Sequence, residues 1–270
     1  MSLTWYVPRE VQEVPELLAR EGVYPHGGGT LILRGKGAKI RGLVDLSLLG
    51  LDGVRFEQGT VALGAMVTFA GCVARLGRHD PDHILVKALS RAASTPLRNR
   101  ITLGGSVAAA PIWSDLLGPL VALDAEVILR GPEGSTVTPV ASFVREGASW
   151  RGALVTGLRF REEGWRAFYH REVTVAFDSP AFTLSILARV SPGRVEELRV
   201  VLTGSRERFI RLVTMEELIQ GKDPCGVKVE GLGERFEAAF PDRRHGSGAW
   251  LRTVAGVALE RGLREVLGPC

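Results

Sequence analysis

Apolar residues recur along this chain in two rhythms, and the changes of rhythm mark its elements. Short runs bounded by glycine, proline or aspartate, as in "TWYVP", "VYPH" and "GLVDLS", predict strands near residues 4, 23 and 42. Between the first two, "VQEVPELLAREG" carries Val14, Leu17 and Leu18 as an apolar stripe, with Gly22 as a helix C-cap. "GVRFEQGTVALGA" predicts a hairpin, and Thr68 stands as the N-cap of "FAGCVARLG". "DHILVKALSRAAS" predicts a helix capped by Asp82, and "LLGPLVALDA" another. "EVILRGPEGSTVTPV" predicts a hairpin turning at Pro-Glu-Gly, and "ALVTGLRF" a strand. Further on, "RAFYHR", "FTLSILARV" and "VEELRVVLTG" predict strands, the last two joined at "SPGR". Helices follow at "TMEELIQG" and "WLRTVAGVALERGLREVL". The pattern predicts α+β architecture in three consecutive units: residues 1–53, 54–163 and 164–270.

Composition narrows the functional classes. With 45% hydrophobic and 24% charged residues, a folded globular protein is expected rather than a disordered one. No apolar run reaches the roughly 20 residues of a membrane span, and the polar start "MSLTWYVPRE" lacks a signal-peptide core. Cys72, Cys225 and Cys270 are scattered without a CxxC pair, which argues against an iron–sulfur cluster held by this chain and for a reducing cytoplasm. The net charge of +4 comes from arginines interleaved with glutamates, and aromatics are 7%, so no nucleic-acid surface is predicted. A single asparagine, Asn99, is a bias expected of a thermophile or a GC-rich genome.

Candidate chemistry centres on "YPHGGGTLILRGKG". It is not a P-loop: Gly35-Lys36 is followed by Gly37 rather than Ser or Thr, and Thr30 stands where the first glycine is required. It is not a Rossmann turn either, because Ile32 and Ile40 occupy the third glycine position of the two possible registers. What remains is a run of amides with no Cβ in the way, free to converge on an anion, against the plain alternative of a glycine-rich turn. "ITLGGS", residues 101–106, adds a second glycine pair flanked by Thr102 and Ser106, and Asp115 follows in "PIWSD". Two such segments predict a ligand spanning two lobes, the second supplying another set of backbone donors. Arg34 and Lys36 are then expected to be loop surface.

"GGGTLIL", "STPLRNRITLGGSVAAAPIWSDLLGPLVALDAEVIL" and "AFYHREVTVAFD" together closely resemble the FAD-binding medium subunit of molybdenum hydroxylases, the carbon monoxide dehydrogenase and xanthine dehydrogenase family. The likeness runs in the same order over nearly the whole chain and includes "LRVVLTG" and the last helix. It implies a two-lobed FAD-binding domain of the vanillyl-alcohol-oxidase (PCMH) type, followed by a C-terminal α+β domain of small antiparallel sheet and helices. On that resemblance Gly27, Gly28, Gly29, Thr30 and Leu31 hold the FAD pyrophosphate. Thr102, Leu103, Gly104, Gly105 and Ser106 form the second segment, Asp115 contacts the cofactor, and Val155 lies against the flavin. The departures are Leu31, Ile101, and His170 with Arg171 where the family carries lysine and paired arginines.

The resemblance also implies partners: a large molybdenum-cofactor subunit and a small subunit with two [2Fe–2S] clusters, assembled as a dimer of heterotrimers. Electrons would pass from those clusters to the flavin and on to NAD, a quinone or oxygen. No acid–base residue is assigned, because the redox chemistry is the cofactor's. Two other functions stay open on the sequence: a scaffolding paralogue with weakened or lost FAD binding, and a stand-alone flavin oxidoreductase. "HDPDH", residues 79–83, suggests a metal only superficially, since Pro81 breaks the helical face, and no metal site is predicted. His26 and Trp113 are secondary candidates for contact with the cofactor.

Overall fold

The computed structural model describes residues 3–32, 40–147, 152–235 and 237–269, so Arg34, Lys36 and Cys270 lie outside the described residues. Backbone contacts group the chain into two compact units, each assembled from separated segments. The first takes Met1–Arg75, Thr95–Ala109 and Asp124–Glu162, and the second Leu76–Ser94, Ala110–Leu123 and Glu163–Cys270.

The first unit holds two sheets. Thr4–Tyr6, Gly42–Asp45 and Val23–His26 form a parallel three-stranded sheet with Gly42–Asp45 in the centre. The helix Val14–Leu18, with Pro15 in its first turn, lies in the connection between the two edge strands. Val14, Val23, Val44, Leu46, Leu49 and Leu154 make its core. Gly22, at φ +78°, turns the chain into the strand, and its carbonyl accepts from the amides of Arg41 and Gly42.

The other sheet is antiparallel, and its five strands run in the order Val54–Glu57, Thr60–Gly64, Leu154–Arg161, Glu126–Gly131, Gly134–Pro139. Both expected hairpins are there, and Leu154–Arg161 joins them. Opposite Ile128 and Leu129 the register slips by one residue, which leaves Thr156 unpaired. The Thr156 hydroxyl donates to the Ile128 carbonyl at 3.1 Å, and its own carbonyl accepts from Ala65 N–H. Thr68 caps Phe69–His79 as expected, accepting from Gly71 N–H at 3.1 Å.

The second unit is built on an antiparallel sheet of Phe209–Arg211, Arg194–Thr203, Phe182–Ser191 and Arg166–Glu172. Its two central strands bury both faces, so they read as continuous apolar runs rather than alternations. The helix Gly248–Leu267 covers one face, where Leu251, Leu259 and Leu263 are fully buried with Phe182, Leu184 and Ile186. A Cβ on Gly262 would stand 2.4 Å from Phe168, so the helix approaches the sheet closely only because that residue is glycine. The helix Leu117–Ala122 packs on Phe182–Ser191 and Arg194–Thr203.

Two expected caps are corrected. The helix Val14–Leu18 has Ala19 as its C-cap, three residues before Gly22. The helix after "HDPDH" runs Ile84–Leu89, and its N-cap is His83, whose Nδ1 accepts from Leu85 N–H at 3.2 Å. Asp82 lies one residue too early to cap and pairs instead with Lys87 Nζ at 3.4 Å. No helix among the described residues is long and apolar enough to cross a membrane.

Candidate functional site

The two glycine segments meet in the first unit. A Cβ added to Gly28 would sit 1.5 Å from the Arg100 carbonyl oxygen, and one on Gly27 would meet Thr102 Oγ1 at 3.1 Å and Met66 Sδ at 3.3 Å. Gly29, at φ +71°, occupies the left-handed region that disfavours any side chain. Backbone therefore lies directly on backbone here, an approach only glycine permits.

After His26, whose carbonyl accepts from Leu46 N–H, the chain leaves the parallel sheet. From that point no described group accepts a hydrogen bond from the amide of Gly27, Gly28, Gly29, Thr30 or Leu31. All five residues are partly buried rather than fully solvated. Consecutive donors left this way are the raw material of an anion-binding concavity.

The second segment differs from expectation. Residues 103–109 are a helix, Leu103–Ala109, and the amides of its first turn are already engaged. Leu103 N–H donates to Val67 O, Gly104 N–H to Ala65 O, and Ser106 N–H to Thr102 O. Gly105 N–H is 3.3 Å from Thr102 Oγ1. The helix runs on from an isolated bridge between Thr68 and Thr102, which anchors the segment to the neighbouring chain. The second set of donors expected from the sequence is thus spent inside the protein. Its glycines make room instead: a Cβ on Gly104 would lie 2.5 Å from Ala65 Cβ.

Together the segments border a cleft of about 210 Å³. Of the residues singled out in the sequence, Gly27, Thr102, Gly104, Gly105 and Val155 line it. Gly28, Gly29, Thr30 and Leu31 continue the first loop, and Ser106 is buried in the helix. The lining that sequence reasoning missed is apolar, with Met66, Ala108, Phe143 and Leu154 among it. Apolar residues of that kind are indistinguishable from ordinary core in the sequence. Val155, 7% exposed, reaches the cleft beside the bulge at Thr156.

Asp115 lies in the second unit, where it is the centre of a buried polar cluster. Its Oδ1 accepts from Arg171 Nε at 2.7 Å and from the Tyr169 hydroxyl at 2.8 Å. Burial lifts the Asp115 carboxyl above the ordinary carboxylate range, partly offset by Arg171 and then by the Tyr169 bond. Burial likewise drives the Tyr169 hydroxyl well above its usual range, and the Asp115 charge adds to it. Arg171 also donates to the carbonyls of Ala176, at 3.1 Å, and Asp178. Its guanidinium therefore ties residues 176–178 to Asp115, while His170 meets Glu172 at 3.0 Å. In the first unit His26 contacts the Trp5 ring edge-on, with centroids 5.1 Å apart. Trp113 is 40% exposed.

Amides without described acceptors beside an apolar cleft are what a protein holding an anionic, partly apolar cofactor would present. The family comparison makes this specific: residues 1–160 match the FAD binding domain in molybdopterin dehydrogenase, and the chain belongs to that family of FAD-binding oxidoreductase subunits. Among its relatives, the uncharacterized protein YgfM of Escherichia coli K12 is 33% identical, with 94% of this chain and 92% of that protein covered. The carbon monoxide dehydrogenase medium chain of Hydrogenophaga pseudoflava is 23% identical over 98% of this chain and 97% of its own. The solved carbon monoxide dehydrogenase from the same organism superposes with a TM-score of 0.89 at 22% identity, covering 98% of this chain and 97% of that one, which establishes the α+β fold. FAD is the cofactor, and the glycine loop suits it: the five amides of Gly27 to Leu31 have no acceptor among the described residues, and the first three belong to residues without a side chain.

Proposed function

We infer that the chain is the electron-transfer flavoprotein subunit of a molybdenum hydroxylase complex, working between a partner's iron–sulfur clusters and an external acceptor. The observation that carries this is the set of unspent amides from Gly27 to Leu31 beside the apolar cleft. Hydrogen bonds to a charged acceptor contribute roughly 1.5–3 kcal/mol each, so three or four suffice to hold a pyrophosphate. In this reading Thr102, Gly104, Gly105 and Ser106 act by bringing the helix Leu103–Ala109 close enough to wall the cleft. Val155 gives that wall an apolar surface, and Asp115 stays in the proposal on the resemblance alone. Bound FAD supplies the redox chemistry, and the protein supplies position, electrostatics and exclusion of water.

The partners proposed are a large molybdenum-cofactor subunit and a small subunit with two [2Fe–2S] clusters, in a dimer of heterotrimers. The name of the Hydrogenophaga relative, a medium chain, fits such an assembly. Because the cleft is smaller than the roughly 300–1,000 Å³ of a complete ligand pocket, it accommodates part of a dinucleotide.

The test is direct. The purified full chain, incubated with excess FAD and desalted, is expected to show flavin absorbance near one FAD per chain. Gly28→Val, whose side chain would drive into the Arg100 carbonyl, is expected to lose it. A wild-type protein that stays colourless would overturn the assignment, and so would a variant that keeps full FAD.

A further inference from the structure

Arg100 carries the next inference. It stands at the end of the short helix Thr95–Arg98, seventy-two positions beyond the glycine loop in sequence, yet touches that loop twice. Its carbonyl presses on Gly28, and its side-chain Nε donates to the Gly28 carbonyl at 3.0 Å. The guanidinium then extends along the loop, since a Cβ on Gly29 would lie 3.5 Å from Arg100 Nη2 and 2.9 Å from His26 Nε2.

The neighbourhood is one-sided. Arg100 makes no ion pair with any described carboxylate, and Nε accounts for its one side-chain hydrogen bond among the described residues. The adjacent amides of Gly27 to Leu31 are donors without acceptors as well. An exposed cation thus stands beside a run of N–H groups for which no described group accepts, an arrangement that suits an anion. A purely structural clamp would need only the Nε bond; it would not require Nη2 to lie over Gly29, whose amide has no acceptor among the described residues.

We propose that Arg100 is the cationic phosphate ligand of this cradle, its fork neutralising a phosphate group that the amides of Gly27 to Leu31 hold. The inference rests on the reading of that loop as the FAD pyrophosphate site, and it adds to that site a charge that residues 27–31 do not carry.

The experiment titrates FAD into the full chain by flavin fluorescence at several sodium chloride concentrations, for the wild type, Arg100→Gln and Arg100→Lys, with a thermal melt of each without FAD. Arg100→Gln is expected to melt like the wild type, to bind FAD about tenfold or more weakly, and to lose part of the salt dependence. Arg100→Lys keeps the charge but not the Nε bond, and is expected to restore most of that salt dependence. Equal FAD affinity and salt dependence in Arg100→Gln and wild type would overturn the proposal while leaving the FAD site standing. Equal losses in both variants with an unchanged salt slope would also overturn it, making Arg100 a clamp on Gly28. If Arg100→Gln fails to fold, Arg100→Lys decides: a wild-type salt slope supports the cation, and an altered one refutes it. A wild type that takes up no FAD at all removes the site and the proposal together.

Discussion

The two glycine segments look alike in sequence but differ in what their amides do. In Gly27–Gly29 the missing Cβ atoms admit Arg100, Thr102 and His26, while the amides have no acceptor among the described residues. In Gly104–Gly105 the amides are engaged within the protein, and the missing Cβ atoms let a helix seat against Ala65 and Thr102. Glycine thus serves close packing at both segments, and only the first leaves its amides unspent for the proposed ligand.

This contrast can be broken from its packing side first. Gly104→Val would put side-chain atoms into the Ala65 backbone, whose Cα and O already lie 3.0 Å from an added Cβ. Overpacking of this kind costs about 1–3 kcal/mol or more. The expected outcome is a drop in thermal midpoint of several degrees with or without FAD, read by circular dichroism. An unchanged midpoint with lost FAD would mean that Gly104 contacts the ligand rather than the core.

From the donor side the effect on folding is smaller. Gly29→Ala places a Cβ in a left-handed conformation, costing roughly 1–2 kcal/mol, against the far end of the His26 ring at 2.9 Å. The ring can yield, but the amide direction changes with φ. FAD affinity is therefore expected to fall about tenfold while the melt of the FAD-free protein shifts by only a few degrees. A variant that destabilises the FAD-free protein as much as Gly104→Val would erase the distinction between the segments.

Much of the fold was legible because its signals are local. Both hairpins, the strands of the second unit and the Thr68 cap follow from runs, turns and a single side-chain oxygen. What could not be read depends on partners distant in sequence. That Leu103–Ala109 is helical and its amides engaged follows from Val67 and Ala65, which no local pattern in "ITLGGS" reveals. Arg171 was legible only as a departure from the family pattern; its bonds to Asp115 and residues 176–178 come from tertiary pairing. Asp82 lost the cap to His83 through a one-residue shift in the helix start, the least readable feature of a helix. Arg100 was invisible as a site residue because its contact with Gly28 spans seventy-two positions.

The smallest effect probes the joint between the segments. Thr102 Oγ1 stands near Gly105 N–H at 3.3 Å and would meet a Cβ on Gly27 at 3.1 Å, so one hydroxyl faces both glycine segments. Thr102→Val keeps the shape and removes the acceptor, which for a helix cap costs about 1 kcal/mol. Thr102 is 6% exposed, so water does not readily replace the lost acceptor. Because the amides of Gly27 to Leu31 do not use this oxygen, the variant should lower the thermal midpoint by a few degrees and leave FAD affinity within about twofold. A larger loss of FAD at an unchanged midpoint would show that the hydroxyl itself binds the cofactor. The second segment would then share the donor work that its spent amides cannot do.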